Sequence, residues 1–435
     1  MHKRVRSGVA ALALIVALAR GTASAAAPPV APLSLEAALA LALDRNLEYR
    51  LAHTGVIASG ARLRQAAAPR LPNVAVRDTL AYASPVAELS TPFGKLPFSS
   101  TTTTNVPLLT LQYQLFDGGL SAARISQAAA GLAAADAQER AARMSLIDTT
   151  TKAYFDLAAA LQSAVVADRA VALAQSHVHD ARQLFAAGQV AHADVLRAET
   201  DLANERVQNL GAHNTVALAQ TTLDNALGVP LGDMHQPTDR LDAAAPEVAL
   251  ETLLTAARTN RGDIAAAQAA LDAAGYALKA ARAGRAPQVN IAVADGNVQP
   301  AVAPGYRNQF SVALNAVWTL FDNGLSAGHV DAAQAGIDRA KLTLEQLRND
   351  VELQVRQAYL NLIEAKARVG ASQSYVALAE ENLRLAQVRY RGGVGTVLEL
   401  QDAELRARAA RQALIAAQVA VREGIVHVRF SAGLL

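Results

Sequence analysis

The sequence predicts a mainly α-helical chain that carries four strands of a membrane β-barrel, organised as a strand–strand–long-helix unit made twice. Three observations predict it. The stretch Leu115 to Ala122 reads Leu-Phe-Asp-Gly-Gly-Leu-Ser-Ala, and it returns at Leu320 to Ala327 as Leu-Phe-Asp-Asn-Gly-Leu-Ser-Ala. Each copy follows residues that alternate between polar and apolar, the period of a half-covered strand. Each also opens a proline-free helical pattern of about 67 residues, ~100 Å long at 1.5 Å per residue.

The first residues have their own explanation. Lys3, Arg4 and Arg6 precede an apolar run from Val9 to Ala19, and Ala23-Ser24-Ala25 forms a small-x-small cleavage site. Residues 1–25 therefore read as a secretory signal peptide, because the apolar run is shorter than the ~20 residues a membrane span needs. Residues 26–32 form a flexible lead-in.

Repeat 1 covers 33–230. Leu33 to Ala68 reads as one helix, capped by Ser34, with Leu39, Leu43, Leu47 and Leu51 recurring on one side and Pro69 and Pro72 ending it. Strands are expected over 73–84 and 105–116, with a Pro/Ser/Thr-rich exposed loop from Pro85 to Asn105 between them. In the second strand Leu109, Leu111, Tyr113 and Leu115 point one way, and Thr110, Gln112 and Gln114 the other. A long helix covers 119–186, Gly188 breaks it, and a return helix runs over 193–226. Charges from Arg124 to Arg169 interrupt the long helix, so no stretch of it is expected to cross a membrane. It must lie against other long helices in an aqueous space.

Residues 231–247 form an equatorial linker rich in Pro and Asp. Repeat 2 covers 248–435, with a helix over 248–284, strands over 288–298 and 308–320, a long helix over 324–391 and a return helix over 397–432. Landmarks hold the register between the copies: Pro72 answers Pro287, Tyr154 answers Tyr359, Gly188 answers Gly393 and Gly228 answers Gly433.

An alternating strand fits a soluble sandwich or a membrane barrel, and no second set of strands exists here to cover the apolar face. Four strands cannot close on themselves, since a small barrel takes about eight. Open strand edges cannot face lipid, where every backbone group needs a partner. The chain must share its barrel with other copies, and three copies supply twelve strands. With the signal peptide, this predicts a homotrimer in contact with outer-membrane lipid, its long helices continuing as a periplasmic tunnel.

Composition narrows the alternatives. The chain has 435 residues, a formal net charge of +2, no cysteine and 4% aromatic residues. That balance offers no concentrated basic face for nucleic acid. The lack of cysteine removes disulfides, thiolate metal sites, cysteine nucleophiles and a lipid-attachment residue. Abundant alanine suits helices packed close together. No Gly-x-Ser-x-Gly turn, His-Glu-x-x-His helix or phosphate loop is present, so neither an enzyme nor a cofactor is expected. His177 and His179 are two apart on a helix and face different ways, which makes a poor metal pair.

The twin Leu-Phe-Asp-Gly/Asn-Gly turns, the paired Gly188 and Gly393 breaks with acidic residues after them, and the Ala226-Leu227-Gly228 and Ala432-Gly433 ends resemble the TolC-like outer-membrane efflux proteins. The resemblance covers nearly the whole chain beyond the signal peptide. It implies a twelve-stranded trimeric barrel above an α-helical tunnel. Such a duct docks on a periplasmic adaptor and an inner-membrane pump or ABC exporter, and passes substrates outward without chemistry on them.

The resemblance also implies roles for particular residues. Gly188, Gln189 and Val190, with Gly393, Val394 and Gly395, turn the long helices at the periplasmic tip, where adaptor contact is implied. The residues alone also fit plain glycine helix ends, although an apolar valine on a loop tip favours a contact surface. Glu399 and Asp402 share a helix face and match the inner constriction, where rings of carboxylates attract cations. By pattern alone they equally complete a helix N-terminus.

Asp194 and Tyr390 match positions that tie neighbouring helices shut. Gly395 stands where some members carry an arginine, and Arg197 replaces the second ring acid of the first copy, so the closing network differs in detail. Phe116, Asp117 and Gly119, with Phe321, Asp322 and Gly324, mark the barrel–tunnel junction. Tyr113, Phe310 and Trp318 suit an interfacial aromatic belt. The competing reading is a periplasmic coiled-coil structural or adaptor protein without a pore. Lumen-type strands and the lack of strict heptads argue against it. A diffusion porin would show many strands and few helices.

Overall fold

The computed structural model describes residues 31–83, 88–97, 102–232, 235–242, 247–298, 307–392 and 394–435. The expected signal peptide 1–25 and most of the lead-in lie outside these residues, as does Gly393.

Two strands run straight into the long helices. Strand β5 (Thr102–Phe116) leads to α3 (Leu120–Ala186), and β8 (Arg307–Val317) leads to α7 (Leu325–Arg391); each helix has 67 residues. The repeated Phe-Asp motif makes both turns. Asp117 accepts hydrogen bonds from the N–H groups of Gly119 at 3.0 Å and Ser121 at 2.7 Å, and Asp322 accepts from Gly324 at 3.1 Å and Ser326 at 2.8 Å. These are first-turn donors that a helix cannot satisfy itself. Gly119 and Gly324 hold φ of 89° and 88°, a left-handed conformation suited to glycine.

Together with β2 (Asn73–Ala83) and β7 (Gln288–Val298), these strands form one antiparallel sheet in the order β2-β5-β7-β8. The register aligns Val74, Leu111, Val293 and Val312 in a single row, with Ala75, Thr110, Ala294 and Ser311 in the next. One sheet face is therefore apolar and the other small or polar. The apolar side chains are uncovered: Val76, Leu80, Phe310 and Leu314 are each at least two-thirds exposed. Among the described residues β2 and β8 are open edges. The pairing between β5 and β7 shifts register between Gln114 and Phe116, at the end that meets the helices.

Several expectations need correcting. The exposed loop from Pro85 to Asn105 contains a hairpin, β3 (Glu88–Thr91) with β4 (Gly94–Pro97), and β5 begins at Thr102. The strand expected over 308–320 stops at Val317, and beyond it the Trp318 indole donates to the Arg285 carbonyl at 3.2 Å. The single helix expected over 33–68 is two, α1 (Leu35–Arg45) and α2 (Leu47–Ala67); 248–284 likewise divides into α5 (Leu250–Asn260) and α6 (Gly262–Ala283). Asn46 and Arg261, in extended conformation, mark the breaks, the second followed at once by Gly262.

Ala31 and Pro32 are not a free lead-in. They belong to β1 (Ala31–Leu33), which pairs in parallel with β6 (His235–Pro237) from the linker. Against expectation, one stretch of α3 is long and apolar enough, by length and composition, to cross a membrane. No charge falls between Asp156 and Asp168, where alanine, leucine and valine dominate. The helix nevertheless runs unbroken to the tip, and it packs on α2, α6, α4 (His192–Leu227) and α8 (Val397–Ser431).

Those partners share α3 between them. Helices α2 and α6 flank its sheet end, and α4 returns alongside its lower half. The main core lies about midway, where Tyr154, Phe155 and Leu157 meet Leu223, Leu227, Ile415 and Val419. A second cluster repeats it around Val351, Val355 and Val428, and a small alanine cluster (Ala379, Ala407, Ala410) packs near the tip. The Tyr154 hydroxyl ties the core to the linker. It donates to Asp239 at 2.6 Å and sits 2.8 Å from the Leu33 carbonyl, while the N–H of Thr238 donates to it at 3.0 Å.

Candidate functional site

The end of the helices opposite the sheet carries most of the candidate residues. Helix α3 closes with Gly188 at φ 71°, whose N–H donates to the Phe185 carbonyl, while that of Gln189 reaches Leu184, both at 2.9 Å. This is a glycine helix ending. Gln189 is exposed and Val190 half-buried. Asp194, in the first turn of α4, accepts from the Ala191 N–H at 3.3 Å.

In the second copy the N–H groups of Val394 and Gly395 both donate to the Arg389 carbonyl, at 3.1 and 3.0 Å. The Val394 side chain is 74% exposed. A Cβ on Gly395 would lie 3.0 Å from both Arg389 Cβ and the Tyr390 nitrogen, so a side chain here would press on the preceding turn. Thr396 then caps α8 by accepting from the Glu399 N–H at 3.2 Å.

Glu399 and Asp402 stay on one exposed face of α8, but neither is alone. Glu399 pairs with Arg389 at 3.6 Å across the turn, and Asp402 with Arg406 at 2.8 Å along the helix. Asp194 and Tyr390 lie elsewhere. Both line a cavity of about 350 Å³ between the first and second repeats, near the tip. Burial first, then Asp180 and Asp194, raise the Tyr390 hydroxyl above its ordinary range.

Val190 also lines this cavity, and so do groups with no role assigned from sequence: His177, Asp201, Glu205, Gln401, Glu404 and Arg408. His177 Nε2 lies 2.7 Å from Glu404, joining α3 to α8. Gln401 bonds Asp201, and Arg408 bonds Glu205, joining α8 to α4. The Glu404 hydrogen bond raises the His177 imidazole against the effect of burial, and Asp180 and Asp201 add to it. Burial raises the Asp201 carboxyl, with Glu205 and Glu404 reinforcing it and Arg197 opposing it. The sequence does carry a signal: Gln401, Glu404 and Arg408 recur at i, i+3 and i+7, a polar stripe distinct from that of Glu399 and Asp402. His179 instead pairs with Gln183 at 2.8 Å.

At the sheet end, Phe116 and Phe321 are exposed beside the Asp117 and Asp322 turns. No cluster of three or more His, Cys, Asp or Glu able to hold a metal occurs among the described residues.

A sheet with a lipid-type face at one end and helices ~100 Å long below it define an outer-membrane channel with a periplasmic helical stem. The chain belongs to the outer membrane efflux protein family, which matches residues 38–229 and 253–434. Protein CyaE of Bordetella pertussis is 29% identical over 430 residues, covering 96% of this chain and 89% of that one. The outer membrane efflux protein BepC of Brucella suis is 22% identical over 75% of this chain and 71% of its own. The Campylobacter jejuni CmeC outer membrane channel shares the fold at a TM-score of 0.81 with 19% identity, over 92% of this chain and 85% of that one. The protein is an outer-membrane exit duct of the efflux and secretion type, and family members work with a periplasmic adaptor and an inner-membrane pump.

Proposed function

We propose that three copies of this chain close a twelve-stranded barrel and a single helical tunnel, joining β2 of each copy to β8 of the next. The open edges of the four-stranded sheet, with its uncovered apolar face, carry this reading. Unpaired backbone edges are not tolerated in lipid, and head-to-tail pairing of the two unlike edges of identical copies closes a ring by symmetry.

At the tip, Gly188, Gln189 and Val190 with Gly393, Val394 and Gly395 meet the adaptor. The exposed Val394 supports this, since an apolar side chain on a turn far from any core marks a contact surface. Glu399 and Asp402 line the mouth of the tunnel, and Asp194 and Tyr390 govern how the two repeats sit against each other there. Phe116 to Gly119 and Phe321 to Gly324 form the junction between barrel and tunnel.

The test uses the absence of native cysteine. Single cysteines along β2 and β8 are introduced in pairs, oxidised in outer-membrane preparations, and the products sized. A ladder ending at three chains, with channel conductance in planar bilayers, is the expected result. Cross-links that end at two chains, or a monomer that does not conduct, would overturn the trimeric duct.

A further inference from the structure

We infer that Arg389 and Arg406 set the ion selectivity of the periplasmic mouth by neutralising Glu399 and Asp402, so that the mouth is charge-balanced and not a carboxylate ring. The inference rests on the proposed reading that the Glu399–Asp402 face lines the tunnel mouth.

The argument begins with how α8 divides its charged residues. Gln401, Glu404 and Arg408 are committed to the first repeat, through Asp201, His177 and Glu205. Glu399, Asp402 and Arg406 occupy a separate stripe at i, i+3 and i+7, and all three are exposed. The next positions on that stripe are Ala409 and Ala413, so no further charge follows for two turns. Each acid has its own arginine: Arg389 at 3.6 Å from Glu399 and Arg406 at 2.8 Å from Asp402. A further acid near the tip, Glu199 of the first repeat, is held by Arg182 at 2.5 Å.

Symmetry multiplies this arrangement without changing its balance. Three copies would place three glutamates beside three arginines, and three aspartates beside three more. A bare carboxylate ring concentrates cations and binds multivalent ones. Alternating charges cancel beyond their own spacing, and what remains is screened over ~8 Å at physiological ionic strength. Such a mouth admits anionic and zwitterionic solutes as readily as cations, and gives a trivalent cation no site to plug. The acids read without their partners predict the opposite.

Reversal potentials in planar bilayers under a potassium chloride gradient test this, using the full-length channel, R389Q/R406Q and E399Q/D402N. All four side chains are exposed, and each variant is first checked for assembly and conductance. The wild type is expected to be nearly unselective. R389Q/R406Q should gain about fivefold in cation preference per uncovered acid, with lanthanum block, and E399Q/D402N should become anion-selective.

Two results would overturn the proposal. If the wild type is already cation-selective and R389Q/R406Q matches it, while E399Q/D402N loses the preference, the acids line the mouth uncompensated. Block of the unmodified channel by low-micromolar lanthanum would say the same without any variant. If neither double variant moves the reversal potential, the face lies away from the mouth, and the constriction reading itself falls.

Discussion

Asn46 and Arg261 are the same joint of the fold built from different chemistry. Asn46 Nδ2 donates to the Ala226 carbonyl at 3.0 Å, and Arg261 Nη1 donates to the Ser431 carbonyl at 3.2 Å. Each residue sits where two short helices meet and reaches the end of its own repeat's return helix. Left-handed Gly228 and Gly433 close against the same joints. A Cβ on Gly228 would come within 2.7 Å of the Arg45 carbonyl, and one on Gly433 within 3.0 Å of the Arg261 nitrogen. Asn46 does more, since its Oδ1 also caps α2 by accepting from Glu48 at 2.9 Å and Tyr49 at 3.1 Å. Asn46→Ala should therefore lose the cap and the cross-link together, costing about 1–2 kcal/mol. Chemical denaturation of the assembled protein checks this, and an unchanged midpoint would show the joint to be held by packing alone.

The two barrel–tunnel turns are equally unequal in detail. Gly118 has φ 63°, and a Cβ there would lie 2.2 Å from Ala286 Cβ; its counterpart Asn323 has φ 54° and carries a full side chain. Gly118→Ala should destabilise by about 1–3 kcal/mol, through both the clash and the left-handed backbone. Asn323→Gly should be near neutral. Equal effects from the two substitutions, read as melting temperatures, would contradict this asymmetry.

The duplication explains what the sequence disclosed and what it hid. The Asp117 and Asp322 turns, the alternating strand before each and the proline-free helices after them depend on neighbours in sequence, so pattern exposes them. The break at Asn46 has no glycine or proline to mark it, and at Arg261 only the single Gly262 does, a residue that a helix interior also tolerates. The β1–β6 pair joins residues about two hundred apart, and its three-residue strands are too short to show a period. The same distance hid the His177–Glu404 contact, whereas Arg389 stands only ten residues before Glu399 and meets it because the chain reverses between α7 and α8. Arg406, one turn beyond Asp402, is legible by spacing as its i+4 partner.

Tyr154 offers a test of the equatorial joint. Its hydroxyl is fully buried and meets Leu33, Thr238 and Asp239 at once. Burial, then the Asp239 carboxylate, raise its ionisation above the ordinary range, so it stays a neutral donor. Tyr154→Phe keeps the packing but strands buried partners, and should cost roughly 1–3 kcal/mol. Limited proteolysis should then cut the linker near 235–242 sooner than in wild type. Unchanged cleavage there would mean that β1–β6 pairing alone secures the linker.

The seam between α3 and α8 predicts a dependence on pH. His177 faces Glu404, Asp180 and Asp201, and the Glu404 hydrogen bond raises its imidazole despite burial. Farther along, His427 lies 3.2 Å from Asp148, which raises it likewise against burial, Lys152 and Arg261. Between them Glu423 is pushed up to about 7, by burial first and then by Asp156 and Asp148, with Lys152 opposing. All three groups bind their proton more tightly when folded than when unfolded. Their contribution to stability is then full in acid and is lost as pH rises, from about the ordinary 4.5 of a glutamate through 7 for Glu423, and from 6.5 upward for the histidines. The His427 pair is half exposed and screened by solvent, so His177 contributes the larger share. The melting temperature should be higher at about pH 5.5 than at about pH 8. H177Q/H427Q should flatten the upper part of that slope, and E423Q should remove the lower part while stabilising the protein at alkaline pH. A flat wild-type profile, or variants that keep its full slope, would show that these pairs do not hold the repeats together.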